Sequence, residues 1–345
     1  MTARSSYTEL QNITRELKRI SLPSLPPALG FDGDQEHMHQ LGIWKKWLQW
    51  EKDDPLVLKG DDLDSYKTRV IFVYKHALMA MRFWPELWSD ASEFCFTNGM
   101  ESEGNSFLTE GIAANPESVL LAFKRADRLE LTTPNEEGDD NKSRRAGVVR
   151  EPYDKVLDAL YDLIAKSKNR QELEIARVEA QFANASSEPQ VNGVKDKSQD
   201  EEDEENRDEA ADKEKQKLDK IESIKAMHAV QSGLLSKTLS HVWIALMRAM
   251  RRVQGKGGAS GGGARGIFGE ARKRGRINSD VYVQAALIEF HCYEPDTGKK
   301  IFERGLKLFQ EDEAFGLEYI KHLVAINDHT SRSYIPPFDI RLTDY

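Results

Sequence analysis

The side chains best placed to do chemistry are cations. Arg248, Arg251 and Arg252 fall within one helix-length of chain, and Arg272, Lys273, Arg274 and Arg276 follow a glycine-rich stretch that opens with Gly255-Lys256. Guanidinium and ammonium groups at this density can neutralise phosphate, and a run such as RKRGR can also act as a nuclear import signal. The competing reading, a solvated outer face of two packed helices, is the favoured one. No RNP-type aromatic motif accompanies the cations, so direct readout of RNA sequence is not expected. GKGGASGGGARG is not a phosphate-binding loop either: no Ser or Thr follows Lys256, no strand precedes it, and the Walker spacing is missing. It reads as a flexible linker.

Other chemistry finds less support. Glu36, His37 and His39 cluster beside Asp32 and Asp34, but no further His or Cys at ligand spacing completes a metal site. His228 and His241 lie on separate helical stretches, and His322 with His329 brackets a helix end. No serine sits in an elbow or signature that would nominate a nucleophile. Cys95 and Cys292 are far apart without CxxC spacing, and both are expected to be buried reduced thiols in a nuclear or cytosolic protein. The expectation is therefore no catalytic residue, no cofactor and no metal.

The net charge of -9 is unevenly spread: ten of the fifteen residues from Asp200 to Glu214 are acidic, and the remainder is near neutral. With 39% hydrophobic residues the chain can bury a core, while no apolar run approaches the eighteen or so residues of a membrane span. A soluble intracellular protein is expected.

The elements that carry these residues are helices. Trp44, Trp47 and Trp50 recur every third residue and Glu51 follows, which draws one aromatic stripe on a helix. Arg69, Ile71, Phe72, Tyr74, Ala77 and Leu78 mark a second amphipathic helix. Two such helices cannot bury three tryptophans alone and need stacked neighbours of the same kind. Trp88, Ala91, Phe94 and Cys95 repeat the first pattern, and so do Leu120, Phe123 and Ala126. Trp243, Leu246 and Met250 turn inward on another such helix, with Arg248, Arg251 and Arg252 outward. Arg265, Ile267 and Phe268 stand as Arg69, Ile71 and Phe72 do; Tyr282, Ala285, Ile288 and Glu289 match Trp44, Trp47, Trp50 and Glu51 interval for interval. The intervals from Trp44 to Trp88 to Phe123, and from Trp243 to Tyr282 to Phe315, are 44, 35, 39 and 33 residues. A period in that range signals helix pairs in series. The predicted fold is all-α, an antiparallel helix-pair solenoid.

Its expected organisation is a helix and Pro-rich connector over 1–30 and repeats over 31–182, with a long helix from Pro152 to about Phe182. An acidic disordered insertion follows over 183–214. Further repeats fill 215–330 around a Gly-rich loop at 255–264, and an irregular tail occupies 331–345.

The alternation of W-x-x-W-x-x-W-E and R-x-I-F helices is the pattern of half-a-TPR repeats. The strings WKKWLQWEKDDPL, TRVIFVYKHALM, PELWSDASEF, RGIFGEARKRGR and SDVYVQAALIEFHCYEPDTGKKIFERGLK make it specific. They resemble the large half-a-TPR subunit of cleavage stimulation factor and its fungal counterpart in cleavage factor IA, the Suf-domain family of mRNA 3′-end processing. The resemblance runs from about Tyr7 to Asp328, apart from insertions at Glu136 to Ala146 and Ala185 to Glu214, with the first and last repeats expected to be missing. It implies a non-enzymatic scaffold in the nucleus, and also in the cytoplasm, with other cleavage and polyadenylation subunits as partners. It further implies a homodimer through the second half, from about Trp243 onward, and contact with pre-mRNA that is mostly indirect. The alternatives are a half-a-TPR scaffold of splicing or ribosomal RNA processing, and, ranked lower, a helical-pair enzyme subunit of the prenyltransferase α-subunit kind.

Overall fold

A computed structural model describes residues 3–18, 25–27, 30, 32–134, 138–185, 199–257 and 262–326, with only the backbone at 184–185, 199–211 and 213. Among the described residues there are thirteen helices and no strand. They form two compact units, Met1–Val156 and Leu157–Tyr345.

The first unit opens with α1 (Ala3–Thr14), which packs on α2 (Asp34–Lys52). A one-turn helix, α3 (Leu58–Asp61), leads to α4 (Leu63–Ala80), the partner of α2. The start of α4 is capped by Asp62, whose carboxylate accepts from Ser65 N–H at 3.1 Å. α5 (Pro85–Thr97) begins with Pro at its first turn, where the missing N–H costs nothing. It pairs antiparallel with α6 (Glu101–Ala114): Gly104 lies against Phe96, and Gly111 against Trp88. α7 (Val119–Thr132) covers both. The core runs from Leu41 and Trp44 through Tyr74 and Trp88 to Leu108 and Leu121.

In the second unit, α9 (Gln199–Gln254) supplies Trp243, Leu246, Met247 and Met250 to the core and pairs with α10 (Gly263–Arg274). α11 (Ser279–Cys292) pairs with α12 (Pro295–Leu308), and α13 (Glu313–Ala325) packs on both. The Asp312 carboxylate caps α13 through Phe315 N–H at 3.1 Å. Gly305 lets the Phe315 ring lie on the α12 backbone, since a Cβ there would be 2.3 Å from the ring. The architecture in each unit is the all-α series of antiparallel helix pairs that the aromatic period predicts.

Several boundaries differ from the sequence reading. α8 runs Asp139–Ala185 and holds Pro152 inside it, rather than starting there. A mid-helix proline forfeits a hydrogen bond, but Val149, Tyr153, Val156 and Leu160 are buried on one stripe that passes straight through it. Burial of that stripe outweighs the local loss. The acidic 183–214 segment is helical in its backbone from Gln199 onward, where Glu, Ala and Lys are strong helix formers; residues 186–198 and the 331–345 tail lie outside the described residues. The Gly-rich connection closes at its ends, with Ala264 N–H donating to Gly255 O at 3.2 Å and Gly263 N–H to the Gln254 side chain at 2.9 Å. Residues 258–261 lie outside the described residues.

Three side chains are not where the sequence reading puts them. Phe72 is 53% exposed and Leu120 40% exposed. α4 turns Val70, Val73, Tyr74 and Ala77 inward, and α7 buries Leu121, Ala122 and Ala126, so Tyr74, Ala77 and Ala126 keep the expected face while Phe72 and Leu120 fall off its edge. Cys292 is exposed, unlike Cys95, because it falls at the last position of α11 beyond the packed stripe.

Candidate functional site

The basic residues do not form one patch. On α9, the Arg248 guanidinium donates to Gln284 Oε1 at 2.5 Å and Arg251 to Cys292 Sγ at 3.5 Å, so both lean on α11. Arg252 is exposed beside them. Lys256 pairs with Glu294. The other four sit at the opposite end of the α9–α10 pair, where Asn278 N–H donates to Ser240 Oγ at 2.8 Å. Eight helical residues from Ser240 to Arg248 separate the two groups by about 12 Å along α9. Arg274 is taken up by Asp158 at 2.8 Å and lies over the Tyr161 ring, 4.1 Å from its centroid. Arg272 lies over Phe268 at 5.1 Å. Lys273 and Arg276 are exposed and make no ion pair among the described residues. The part of the cluster open to an anion is the short end of α10, not the whole set.

The strongest polar geometry lies elsewhere, in two arginine–glutamate forks. Arg69 donates to both oxygens of Glu51 at 3.0 and 2.9 Å, and Glu51 is only 6% exposed. Arg265 donates to both oxygens of Glu289 at 2.5 and 2.7 Å, and Glu289 is 4% exposed. Each glutamate directly follows an aromatic or aliphatic stripe and so is carried into the core. Each arginine supplies the planar pair of donors that a buried carboxylate needs. Glu51 on α2 takes its arginine from α4, later in the chain, whereas Glu289 on α11 takes it from the preceding helix, α10. Arg265 also reaches Glu294 at 3.2 Å. Lys256 first, then Thr297 and Arg265, hold the Glu294 carboxyl down at about 2. Spacing alone shows the matching positions; their bonds to each other appear only in the folded chain.

One constellation was missed. Ser167 Oγ lies 3.3 Å from His228 Nδ1, and His228 Nε2 lies 3.1 Å from Glu174 Oε2. These are the residue types of a hydrolytic triad, but Ser167 is mid-helix on α8. The backbone N–H groups around it are committed to helix bonds, which leaves no amides to hold an oxyanion. Ser167 also bonds to Gln231 Oε1 at 3.2 Å. The trio fastens α8 to α9 at one register.

In the acidic and histidine group near the N-terminus, Asp34, Glu36 and His39 are held in local contacts. Asp34 accepts from Gly30 N–H, Glu36 pairs with Lys18 at 2.9 Å, and His39 contacts Glu16 at 3.1 Å. Among the described residues no three His, Cys, Asp or Glu side chains gather as metal ligands. No helix there is long and apolar enough to cross a membrane.

Fold and polar geometry together define a helix-pair repeat protein whose most ordered polar groups hold helices to one another. The sequence model of the family described as Suppressor of forked protein (Suf) matches residues 1–335, and the chain belongs to that family. It is 57% identical over 329 residues to the mRNA 3′-end-processing protein rna14 of Aspergillus oryzae, covering 95% of this chain and 30% of the relative. Identity to the mRNA 3′-end-processing protein RNA14 of Gibberella zeae is 47% over 335 residues, 96% of this chain and 32% of the relative. To that of Yarrowia lipolytica it is 29% over 332 residues, 95% and 32% respectively. The chain therefore spans about a third of the length of the curated relatives it matches.

Proposed function

We propose that this chain is a non-enzymatic scaffold segment for pre-mRNA 3′-end cleavage and polyadenylation. The observation that carries this reading is high identity, across 95% of the chain, to proteins named for mRNA 3′-end processing. The structure supports it: buried Trp, Phe and Leu stripes build stacked helix pairs, and such arrays serve as extended binding surfaces. The partners are other subunits of the cleavage and polyadenylation machinery, and the site of action is the nucleus, with a cytoplasmic pool. A homodimer would form through the second half, from Trp243 onward. Pre-mRNA is met mostly through partner subunits, and any phosphate contact of the chain itself falls to Arg272, Lys273 and Arg276.

The test is a cleavage and polyadenylation assay in nuclear extract depleted of the protein with an antibody. Recombinant chain added back is expected to bind the processing machinery and to cut no RNA when incubated with substrate alone. Cleavage of the substrate by the purified chain would overturn the scaffold reading. Sedimentation velocity on the same preparation tests the dimer.

A further inference from the structure

The first unit carries a groove that its own helices do not fill. Its volume is about 550 Å³. Buried Trp88 and Phe107 form the floor, together with Leu78. α4 and the turn after it make one wall, and α6 makes the other. The position of α6 follows from Gly111, whose absent Cβ lets the helix backbone press on Trp88; a Cβ there would lie 2.9 Å from Trp88 Cβ.

The two walls carry opposite charge. Lys75 and Arg82 stand on the α4 side, both exposed. Glu103 and Glu110 stand on the α6 side, two helical turns or about 10.5 Å apart and also exposed. None of the four makes an ion pair among the described residues; Glu110 accepts only from Ser106 Oγ, at 2.9 Å. The apolar surface continues up the basic wall: Met79 is 58% exposed, and Phe72, two turns earlier on α4, is 53% exposed.

An apolar floor between one basic and one acidic rail is complementary to an amphipathic helix. Such a helix sets apolar anchors at i, i+3, i+4 and i+7 into the trough, with carboxylates along one edge and cations along the other. The volume is too small for a whole helix and sufficient for its anchor side chains. We propose that this groove docks an amphipathic helix of a partner protein, acidic on the edge facing Lys75 and Arg82 and basic on the edge facing Glu103 and Glu110. The inference goes beyond the scaffold assignment, and its test uses no processing factor, so either can fail alone.

The probe is an 18-residue synthetic helix with Leu anchors, two Glu seven residues apart on one edge and two Lys seven apart on the other. A control of the same composition carries one Glu and one Lys on each edge. By fluorescence polarisation the chain is expected to prefer the patterned peptide by about 10-fold or more. Lys75→Glu with Arg82→Glu should weaken it by about 10-fold or more, and should gain affinity for a third peptide with Lys on both edges. Lys75→Ala with Arg82→Ala should fall between. Both substituted sites are exposed, and an unchanged circular dichroism melt confirms the variants are folded. Failure to bind at 100 μM, equal affinity for patterned and control peptides, or indifference to the charge reversal would each overturn the proposal. If the wild-type chain self-associates in sedimentation and the charge reversal abolishes this, the occupant is a second copy, and the partner helix is wrong.

Discussion

The Arg69–Glu51 fork gives the most quantitative consequence of this structure. Arg69→Met removes both donors while keeping the aliphatic stem, and leaves a carboxylate with 6% exposure facing an apolar neighbour. Breaking a buried pair from one side costs about 3–5 kcal/mol, since the remaining charge keeps its desolvation penalty. Arg69 is itself 38% exposed, so water partly replaces it, and Trp47 Nε1 still donates to Glu51 at 3.3 Å. The expected loss is therefore at the low end, about 3 kcal/mol. Glu51→Leu combined with Arg69→Met should recover most of it, because the apolar pair has no charge left to desolvate. Urea denaturation followed by helicity, with the two single variants and the double, measures the coupling. A loss below about 0.5 kcal/mol for Arg69→Met, the range of an exposed pair, would show that the fork does not hold α2 to α4. So would a double variant as unstable as the single.

Three further outcomes follow from other parts of the molecule. Gly111→Ala places a methyl group 2.9 Å from Trp88 Cβ, so a loss of about 1–3 kcal/mol by overpacking is expected, against a gain of about 0.5–1 kcal/mol for Gly42→Ala, which is mid-helix on α2 with open space around it; equal thermal melts would contradict the close α5–α6 contact. Burial lowers the pKa of His322, which lies among Phe302 and Phe290. The unfolded chain then binds the extra proton below pH 6.5, so stability is held above that value and lost as pH falls through the folded pKa. Denaturation at pH 7.5 and 5.0 should show this loss, and His322→Phe should shrink it; an unchanged pH dependence would refute the assignment. Affinity for poly-uridine, measured against salt, should lose about 2 from its logarithmic slope when Arg272, Lys273 and Arg276 become Ala. Arg248→Ala with Arg251→Ala should leave the slope unchanged, and equal effects would contradict the division of the basic cluster.

The repeat was legible because large aromatics at helical spacing have few places to go but a core. Trp44, Trp88, Trp243 and Tyr282 are all buried as their period requires. Phe72 and Leu120 were misplaced for a physical reason: periodicity gives a stripe about 100° wide, and only the neighbouring helix decides which edge of it is covered. Pro152 misled in the same way, since a local propensity yielded to the buried stripe on either side. Glu51 and Glu289 were visible as matched positions, and an acid at the end of a core stripe is itself a sign of a buried partner. Their pairing needed the third dimension, as one arginine comes from a later helix and the other from an earlier one. The groove beside Trp88 and the Ser167–His228–Glu174 contact likewise join residues that only folding brings together.

The central claim is tested most directly by purifying the tagged chain from nuclear extract and identifying its companions by mass spectrometry. Cleavage and polyadenylation factors are expected to co-purify, with stoichiometry unchanged by ribonuclease. Recovery of spliceosomal or ribosome-biogenesis proteins in their place, or of no processing factor at all, would contradict the assignment.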